Sequence, residues 1–390
     1  MDHTQNRNAI SRYVGAHSVA QLLFWSSFYY VLPALTAQIV SETNWPVLHI
    51  STTYTLAFIL WAVCAPLIGF WIDAGHGTLV MRIGASVGIV LLVILSQTTD
   101  RTMFTIVVIL LGPCMAATLY DPCFAVILQR LKDTAANAVA TVTLIAGFAT
   151  LLTFPLISVL SSMLTWQNIV LSFAGLASIG VFLLPAEADT KPRARQHLTK
   201  MRLDKGPMLI ALSFGLVMMG HAILLFLLPV ALAHTDSDTN IGLLALAILG
   251  PAQVGGRIAW KYLGAGFKPQ DCAIVMFACL CLPATLLLVF GTTLLAVCAA
   301  LALQGACYGV HTILRPSLAQ HHLQPSQLGR GLGMIAMVGL LLMAIGPVVG
   351  GMIWTITGVT GLMVALLAIN LTALGLGVVL CRAVLKEAMV

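Results

Sequence analysis

Long apolar runs alternate with short polar intervals along the whole chain. Each run is long enough to cross a hydrocarbon core of about 30 Å as a helix, which takes about 20 residues. In chain order the runs cover residues 13–39, 46–72, 79–97, 103–128, 137–163 and 167–185, and then 207–233, 241–263, 272–291, 293–317, 331–356 and 358–382. The pattern predicts an all-α integral membrane protein of twelve transmembrane helices, divided six and six by one longer polar interval.

Composition excludes a soluble protein. Of the 390 residues, 59% are hydrophobic and 8% are charged, whereas an ordinary soluble domain is about 25% charged. Too few polar side chains are present to cover a surface in contact with water. The nine cysteines fall inside or at the edges of apolar runs without metal-ligand spacing. We interpret them as packing residues and expect no metal and no cofactor.

Basic residues are concentrated on one side of the predicted spans, and the other side has only Arg101. The first group comprises Arg7, Arg12, Arg82, Arg130, Lys132, Lys261, Lys268, Arg330, Arg382 and Lys386, together with six residues in 186–206. By the positive-inside rule, both termini are predicted to be cytoplasmic. We expect the membrane to be the cell (inner) membrane. The net charge of +6 then reflects orientation, and no nucleic-acid partner is expected.

The two groups of six runs share short sequence features. The matches are Gly147 and Pro155 with Gly339 and Pro347 at an offset of 192, and Tyr120-Asp121-Pro122 with Leu314-Arg315-Pro316 at an offset of 194. We therefore predict two related six-helix bundles, 1–185 and 207–390, joined by a cytoplasmic linker at 186–206. Halves of this kind, related by a pseudo-two-fold axis along the membrane normal, are known in secondary transporters.

The loop after the second run, GFWIDAGHGTLVMR, carries a glycine, an aspartate four residues later and a glycine-containing turn. This order resembles a motif of the major facilitator superfamily, and the likeness of the whole pattern extends over nearly the entire chain. Gly69 and Asp73 match, Ala74 stands where the family usually has arginine, and Arg82 is the remaining basic residue. The resemblance implies transport by alternating access, with Gly69, Asp73 and Arg82 as a weakened conformational latch.

Two further motifs bear on the type of transport. The segment GPVVGG at 346–351 is similar to the family's antiporter motif, but it lies in the eleventh run instead of the fifth. We therefore interpret Gly350 and Gly351 as close-packing residues. Drug–proton antiporters of the family carry an arginine four residues before a glycine in span 4. Val108 occupies that position before Gly112, which disfavours drug efflux.

Spans 4, 7, 8 and 10 carry ionisable residues in their interiors, whereas spans 3, 6, 9 and 12 carry none. In the family the first group borders the cavity and the second is peripheral. Because a charge at bilayer depth costs several kcal/mol unless it faces protein or water, we take these residues as site candidates. In span 10, four polar residues fall within an arc of about 60° on a helix, which is typical of a cavity lining. The proton-coupling candidate is Asp121, and the substrate-binding candidates are Arg257, Arg315, His311, Tyr308, Gln304, His221 and Thr118.

Each of these assignments has a structural alternative. Asp121 could form a static ion pair near the cytoplasmic end of its span. Arg315 and Arg257 could extend their side chains to the membrane surface, and His221 could make a hydrogen bond between helices. We interpret the aromatic residues near the outer surface, Tyr29, Tyr30 and Trp45, as members of the interfacial aromatic belt.

These observations predict a secondary active transporter for a small organic solute, coupled to a proton through Asp121. Two interior arginines against one aspartate favour a carboxylate-bearing solute. The alternative is an efflux pump for hydrophobic drugs or metabolites, favoured by the Met-, Phe- and Leu-rich spans. An intramembrane enzyme is disfavoured because neither a nucleophile–base pair nor an H-E-x-x-H motif occurs. We expect the chain to act as a monomer in the lipid bilayer.

The repeat also suggests how the switch works. Asp121 and Arg315 occupy matching places, each directly before a proline, and carry opposite charges. We expect them to approach each other on the cytoplasmic side while the cavity is open outward and to separate when it opens inward. Protonation of Asp121, or a solute at Arg315 or Arg257, would weaken that attraction and shift the equilibrium.

Overall fold

The computed structural model describes residues 3–131, 134–185, 203–233, 239–264, 266–323 and 328–387. These residues form fifteen α-helices and two π-helical turns. The elements are α1 His3–Phe24, a π-helical turn Trp25–Tyr30, α2 Val31–Thr43, α3 Val47–Trp71, a second π-helical turn Ile72–His76, α4 Gly77–Leu95, α5 Arg101–Thr118, α6 Tyr120–Leu131, α7 Ala135–Ala146, α8 Ala149–Leu160, α9 Trp166–Leu183, α10 Lys205–Ala233, α11 Thr239–Leu246, α12 Leu249–Leu263, α13 Pro269–Phe290, α14 Leu294–His322 and α15 Leu328–Glu387.

Ten segments of the described residues are long and apolar enough to cross a membrane. Two of them, Val47–Leu95 with 49 residues and Gly331–Arg382 with 52, are more than twice the length of a single crossing. Each contains a glycine with positive φ, Gly75 at 95° and Gly358 at 65°. Only glycine adopts such angles without strain, so the helix can change direction there. With two passes in each long segment, the described part of the chain holds the twelve predicted spans, and the all-α fold is confirmed.

The chain divides into two compact units, Met1–Trp45 with Ile59–Gln196, and Pro46–Phe58 with His197–Val390. The first half of α3 therefore belongs to the second unit, although the sequence places it in the first bundle. The rings of Tyr54 and Phe58 pack on Phe226 at 4.6 and 5.5 Å, and the amide of Val348 donates to Thr55 Oγ1 at 3.1 Å. Of the predicted linker, residues 186–202 lie outside the described part.

In the second unit, α10 is the central helix and packs along α15 and α14. Phe214, Phe277 and Leu314 are at most 1% exposed in its core. Glycines of the GPVVGG segment let α15 approach closely, because an added Cβ on Gly350 would lie 2.7 Å from Leu227 and one on Gly351 2.9 Å from Ser51. The interpretation of these two glycines as close-packing residues is confirmed.

In the first unit, α1 packs against α7 and α9, and α4 packs against α5 and α9. Three of its spans are interrupted. Span 1 contains the π-helical turn Trp25–Tyr30, span 4 breaks between α5 and α6, and span 5 breaks between α7 and α8. Ser26 links the first and third interruptions, since its hydroxyl lies 3.4 Å from the carbonyl of Ala149. Irregular backbone at membrane depth is tolerated where protein or water satisfies its polar groups, so these interruptions mark the part of the unit to search for a site.

Candidate functional site

The break in span 4 follows from Pro122. Residue Leu119, between α5 and α6, has extended backbone angles of φ −78° and ψ −155°. In a continuous helix the carbonyl of Thr118 would accept from the amide of residue 122, but proline has no N–H. The break therefore lies at the position where Pro122 lacks the backbone N–H that would bond to the Thr118 carbonyl.

Gln21 supplies the missing donor from α1. Its Nε2 donates to the Thr118 carbonyl at 2.7 Å, and the side chain is 0% exposed. The hydroxyl of Thr118, also 0% exposed, donates to the carbonyl of Cys114 at 2.7 Å in its own helix. Thr118 thus contributes to the break through its backbone. The sequence analysis did not identify Gln21. The available signal was a glutamine inside one apolar run, which can donate to the carbonyl that a proline in another run leaves without a backbone donor.

Asp121 lies in the first turn of α6, directly after the break, and its side chain is exposed. An exposed carboxylate at bilayer depth has to face water or polar protein groups, because contact with lipid costs several kcal/mol. The amino end of a helix also favours negative charge. The break therefore places a carboxylate at a helix start within a membrane span, and its role in proton coupling stays a prediction.

Aromatic rings surround Trp25 beside this break. We define the Trp25 cluster as Trp25, Tyr29, Tyr30, Trp61 and Tyr120. From Trp25 the ring-centroid distances are 4.6 Å to Tyr120, 5.1 Å to Tyr29, 6.1 Å to Tyr30 and 6.3 Å to Trp61. The assignment of Tyr29 and Tyr30 to an interfacial belt is wrong, because both lie in the π-helical turn in the middle of the span Ile10–Thr43.

In the second unit, three rings stack between α10 and α14. His221 and Tyr308 have centroids 3.8 Å apart with planes inclined by 14°, and Tyr308 and His311 have centroids 5.1 Å apart with planes inclined by 4°. His221 and His311 are 3% and 2% exposed. The structure therefore brings these three candidates together, with Tyr308 and His311 on the face of α14 that contacts His221 of α10.

His311 also joins the two helices by a hydrogen bond. Its Nε2 lies 3.0 Å from the carbonyl of Phe214, so that nitrogen carries the proton and the neutral ring leaves Nδ1 as an acceptor. Nδ1 of His311 and Nδ1 of His221 are both buried without a hydrogen-bond partner among the described residues. The stack thus holds two buried imidazole nitrogens whose hydrogen-bonding capacity is unused.

The two arginine candidates, Arg315 and Arg257, also belong to the second unit. Arg315 is half-buried, and its Nη1 is 3.6 Å from Sδ of Met218. Arg257, on α12, is also half-buried. The second unit therefore combines two guanidinium groups with a histidine–tyrosine stack.

Gln304 lies apart from the ring stack. It is 4% exposed and lines a small cavity together with Gly220, Leu366 and Asn370. Asn370 donates to the carbonyl of Leu280 at 2.8 Å. The polar stripe of span 10 therefore turns toward the interior of its own unit at this end. Its role as the lining of a water-filled cavity stays a prediction.

The loop after span 2 is held against α6. Gln129 Nε2 donates to the carbonyl of Ile72 at 3.3 Å, and Gly75 makes the turn with a φ of 95°. Asp73 is exposed and Arg82 is half-buried. An added Cβ on Gly69 would meet nothing within 4 Å. The latch role of Gly69, Asp73 and Arg82 stays a prediction.

Comparison with known proteins identifies the family. The profile of the Major Facilitator Superfamily matches residues 18–282, and among curated proteins no sequence match is found. Solved structures with the same fold include a point mutant of the nucleoside transporter NupG, at 16% identity and a TM-score of 0.78, covering 96% of this chain and 98% of that one. A bacterial homologue of the human lysosomal transporter Spinster has 12% identity and a TM-score of 0.75, covering 98% of both chains.

A third similar structure is a D-xylose–proton symporter, at 14% identity and a TM-score of 0.75, covering 94% of this chain and 97% of that one. At these identities the likeness concerns the fold. The profile match covers well over half of the 390 residues, and the apolar helices are those of an integral membrane protein. The chain therefore belongs to the Major Facilitator Superfamily of transporters.

Proposed function

We propose that the protein is a secondary active transporter that carries a small, carboxylate-bearing organic solute, with a proton as the coupling ion. The observation that carries this proposal is the exposed carboxylate of Asp121 at the start of α6, after a break inside a membrane span. Both termini face the cytoplasm of a cell with this protein in its inner membrane, and the monomer is the working unit.

Asp121 suits proton coupling because its charge state changes the cost of closing the site. An ionised carboxylate is expensive in a dry, low-dielectric surrounding, whereas the protonated acid is cheaper to bury. Proton binding therefore favours whichever conformation excludes water from Asp121, and proton release favours the other. The D-xylose–proton symporter among the similar structures indicates that this fold accommodates proton coupling. Attraction between Asp121 and Arg315 as part of the switch remains a sequence-based prediction.

Arg257 and Arg315 support a carboxylate-bearing solute. Guanidinium groups bind carboxylates with two parallel hydrogen bonds, which gives both energy and orientation. Both arginines are half-buried in the second unit. Nδ1 of the adjacent His221 is buried without a hydrogen-bond partner among the described residues, and in the tautomer that protonates this atom it can donate to an anionic group. This unit can therefore supply charge and polar contacts to an anionic group.

A second candidate function is efflux of a hydrophobic compound. It is favoured by an almost entirely apolar groove on the first unit, about 500 Å³ in volume, that is bordered by Trp71, Ile83, Val87 and Pro113. Several of its side chains are exposed, including Ile83 at 54% and Val87 at 47%. A hydrophobic compound could enter such a groove from the membrane.

Solute uptake into proteoliposomes separates the two functions. We expect a radiolabelled organic acid from a panel of hydroxy, keto, amino and aromatic acids to accumulate when a pH gradient is imposed, and a protonophore to abolish that accumulation. Protein-free liposomes correct for passive entry of the neutral acids. Gradient-driven movement of ethidium, with no transport of any acid, would replace the proposal by the efflux function.

A further inference from the structure

We propose that the Trp25 cluster is a binding subsite for a planar, unsaturated ring of the transported solute. The inference rests on the proposed function and deepens it, because it names a chemical feature of the transported solute. It rests on the position, exposure and unsatisfied polar groups of the cluster.

The position of the cluster is unusual for its composition. Tryptophan and tyrosine concentrate at the two membrane surfaces, where their polar atoms meet water. Here two tryptophans and three tyrosines gather around a π-helical turn in the middle of span 1. Single π-helical turns inside α-helices are frequent at functional sites. A purely structural contact at this depth would be satisfied by aliphatic side chains without polar atoms to accommodate.

The exposure of the rings divides the cluster into a support and a contact face. Tyr29 and Trp61 are 5% and 6% exposed and form the support. Trp25, Tyr30 and Tyr120 are half-buried, so each presents part of its ring outside the packed interior. A flat ring can stack on such a face, and each aromatic pair contributes about 0.5–1.5 kcal/mol beyond the burial of its area.

The neighbouring carboxylate indicates that this face is not covered by lipid. Asp121 follows Tyr120 directly and is exposed, and a carboxylate at this depth cannot face lipid cheaply. Tyr120 in turn stacks on Phe124 with ring centroids 5.0 Å apart and packs at a tilt of 46° on Trp25 with centroids 4.6 Å apart. The half-buried rings therefore lie beside a carboxylate that faces water or polar protein groups, and a solute that reaches Asp121 can also reach them.

Polar atoms inside the cluster have unused hydrogen-bonding capacity. Nε1 of Trp25 and Oγ of Ser27 are buried and have no hydrogen-bond partner among the described residues. A buried indole N–H usually has an acceptor. A heteroatom or ring substituent of the solute can accept from Nε1 after a small movement of the Trp25 ring, which favours a substituted or heteroaromatic ring over a bare hydrocarbon.

The test uses pairs of carboxylates that differ only in the ring. Benzoate is compared with cyclohexanecarboxylate, and phenylacetate with cyclohexylacetate, by calorimetric titration of the protein in nanodiscs, with empty nanodiscs as the blank. We expect the aromatic member of at least one pair to bind about tenfold more tightly, as one or two ring contacts imply. Trp25→Phe should keep part of this preference and Trp25→Leu should lose it.

Trp45→Phe is the matched control, because Trp45 packs on Phe104 at 5.1 Å outside the cluster and should leave the preference unchanged. Equal binding within both pairs, binding of neither member, or a preference that survives Trp25→Leu would overturn the inference. So would binding of tetramethylammonium in place of the acids, since the cluster would then recognise a cation. Proton-driven uptake tests the proposed function separately, because a ring preference can be present with coupling absent, and the reverse.

Discussion

The contact between spans 1 and 4 in the first unit has a counterpart between spans 7 and 10 in the second. Gln21 bonds to the carbonyl of Thr118, and His311 bonds to the carbonyl of Phe214; the members of both pairs are 97 residues apart. Each position in the second pair lies 193 residues after its equivalent, between the offsets of 192 and 194 seen in the sequence. Both halves therefore have a hydrogen bond between the equivalent spans. Its donor lies in the first span of the pair, span 1, in the first half and in the second span of the pair, span 10, in the second half.

One turn further along, the chemistry of the two contacts differs. In the first unit Trp25 packs on Tyr120, beside the carboxylate of Asp121. In the second unit Met218 contacts the guanidinium of Arg315. The two halves share a fold but place an aromatic and acidic group in one and a basic group in the other. The first half thus carries the groups that we propose to bind a proton and an aromatic ring. The second half carries the groups that we propose to bind an anion.

The prolines of the two halves also have different consequences. Span 4 breaks at Leu119, before Pro122. In contrast, α14 (Leu294–His322) contains Pro316 and is not broken there. A proline removes one backbone hydrogen bond in either place. In span 4 the freed carbonyl is bound by Gln21, and this side-chain donor stabilises the broken form. The break in span 4 therefore depends on Gln21 in span 1 as well as on Pro122.

The largest expected effect concerns anion recognition by the second unit. Arg315→Gln should weaken binding of a carboxylate solute by about 10- to 100-fold, because a hydrogen bond to a charged group contributes about 1.5–3 kcal/mol. Arg101→Gln, at an exposed arginine of the first unit, is the control and should have no effect. Calorimetric titration measures both. An equal loss in the two variants would show that the binding responds to net charge alone.

The equivalent hydrogen bonds should differ in their contribution to stability. Gln21→Met leaves the Thr118 carbonyl without a donor, which costs about 1–3 kcal/mol. His311→Phe should cost less through its hydrogen bond, because the carbonyl of Phe214 lies within the continuous helix α10 and keeps the amide four residues later. Thermal unfolding in detergent compares the two variants. A larger loss for His311→Phe would mean that ring packing outweighs the hydrogen bond in the second unit.

Restoring the backbone donor should rescue only the first unit. In the background of Gln21→Met, Pro122→Ala provides an amide that can bond to the Thr118 carbonyl, so most of the lost thermal stability should return. Pro316→Ala in the background of His311→Phe should give no such rescue, because Phe214 is not paired with that position. Additive effects in the first double variant would contradict the role assigned to Gln21.

The smallest expected effect concerns Thr118. Its hydroxyl bonds within α5, and replacement of a satisfied hydroxyl by an apolar group of similar shape is often nearly neutral. Thr118→Val should therefore change thermal stability and solute binding little, and Thr312→Val, with a comparable bond to Gly309 at 2.7 Å, should behave alike. A selective loss of solute binding in Thr118→Val would restore the direct contact that the sequence suggested.

Much of this architecture follows from local pattern. The apolar runs predicted the spans, and the spacing of Tyr308, His311 and Arg315 on one helix placed them on the face toward α10, because a regular helix repeats every 3.6 residues. The association of residues 46–58 with the second unit was not predictable, since it depends on packing between distant segments. The Trp25 cluster was missed for the same reason: it joins rings from three separate spans around a π-helical turn that hydropathy does not reveal.

Proton coupling through Asp121 is the central claim, and one comparison tests it directly. Wild-type protein and Asp121→Asn are reconstituted in matched proteoliposomes, and solute accumulation under an imposed pH gradient is measured beside solute exchange without a gradient. Asparagine has nearly the same shape as aspartate but binds no proton in this range, so we expect exchange to persist while gradient-driven accumulation disappears. Accumulation by Asp121→Asn at the wild-type level, with unchanged pH dependence, would contradict the account.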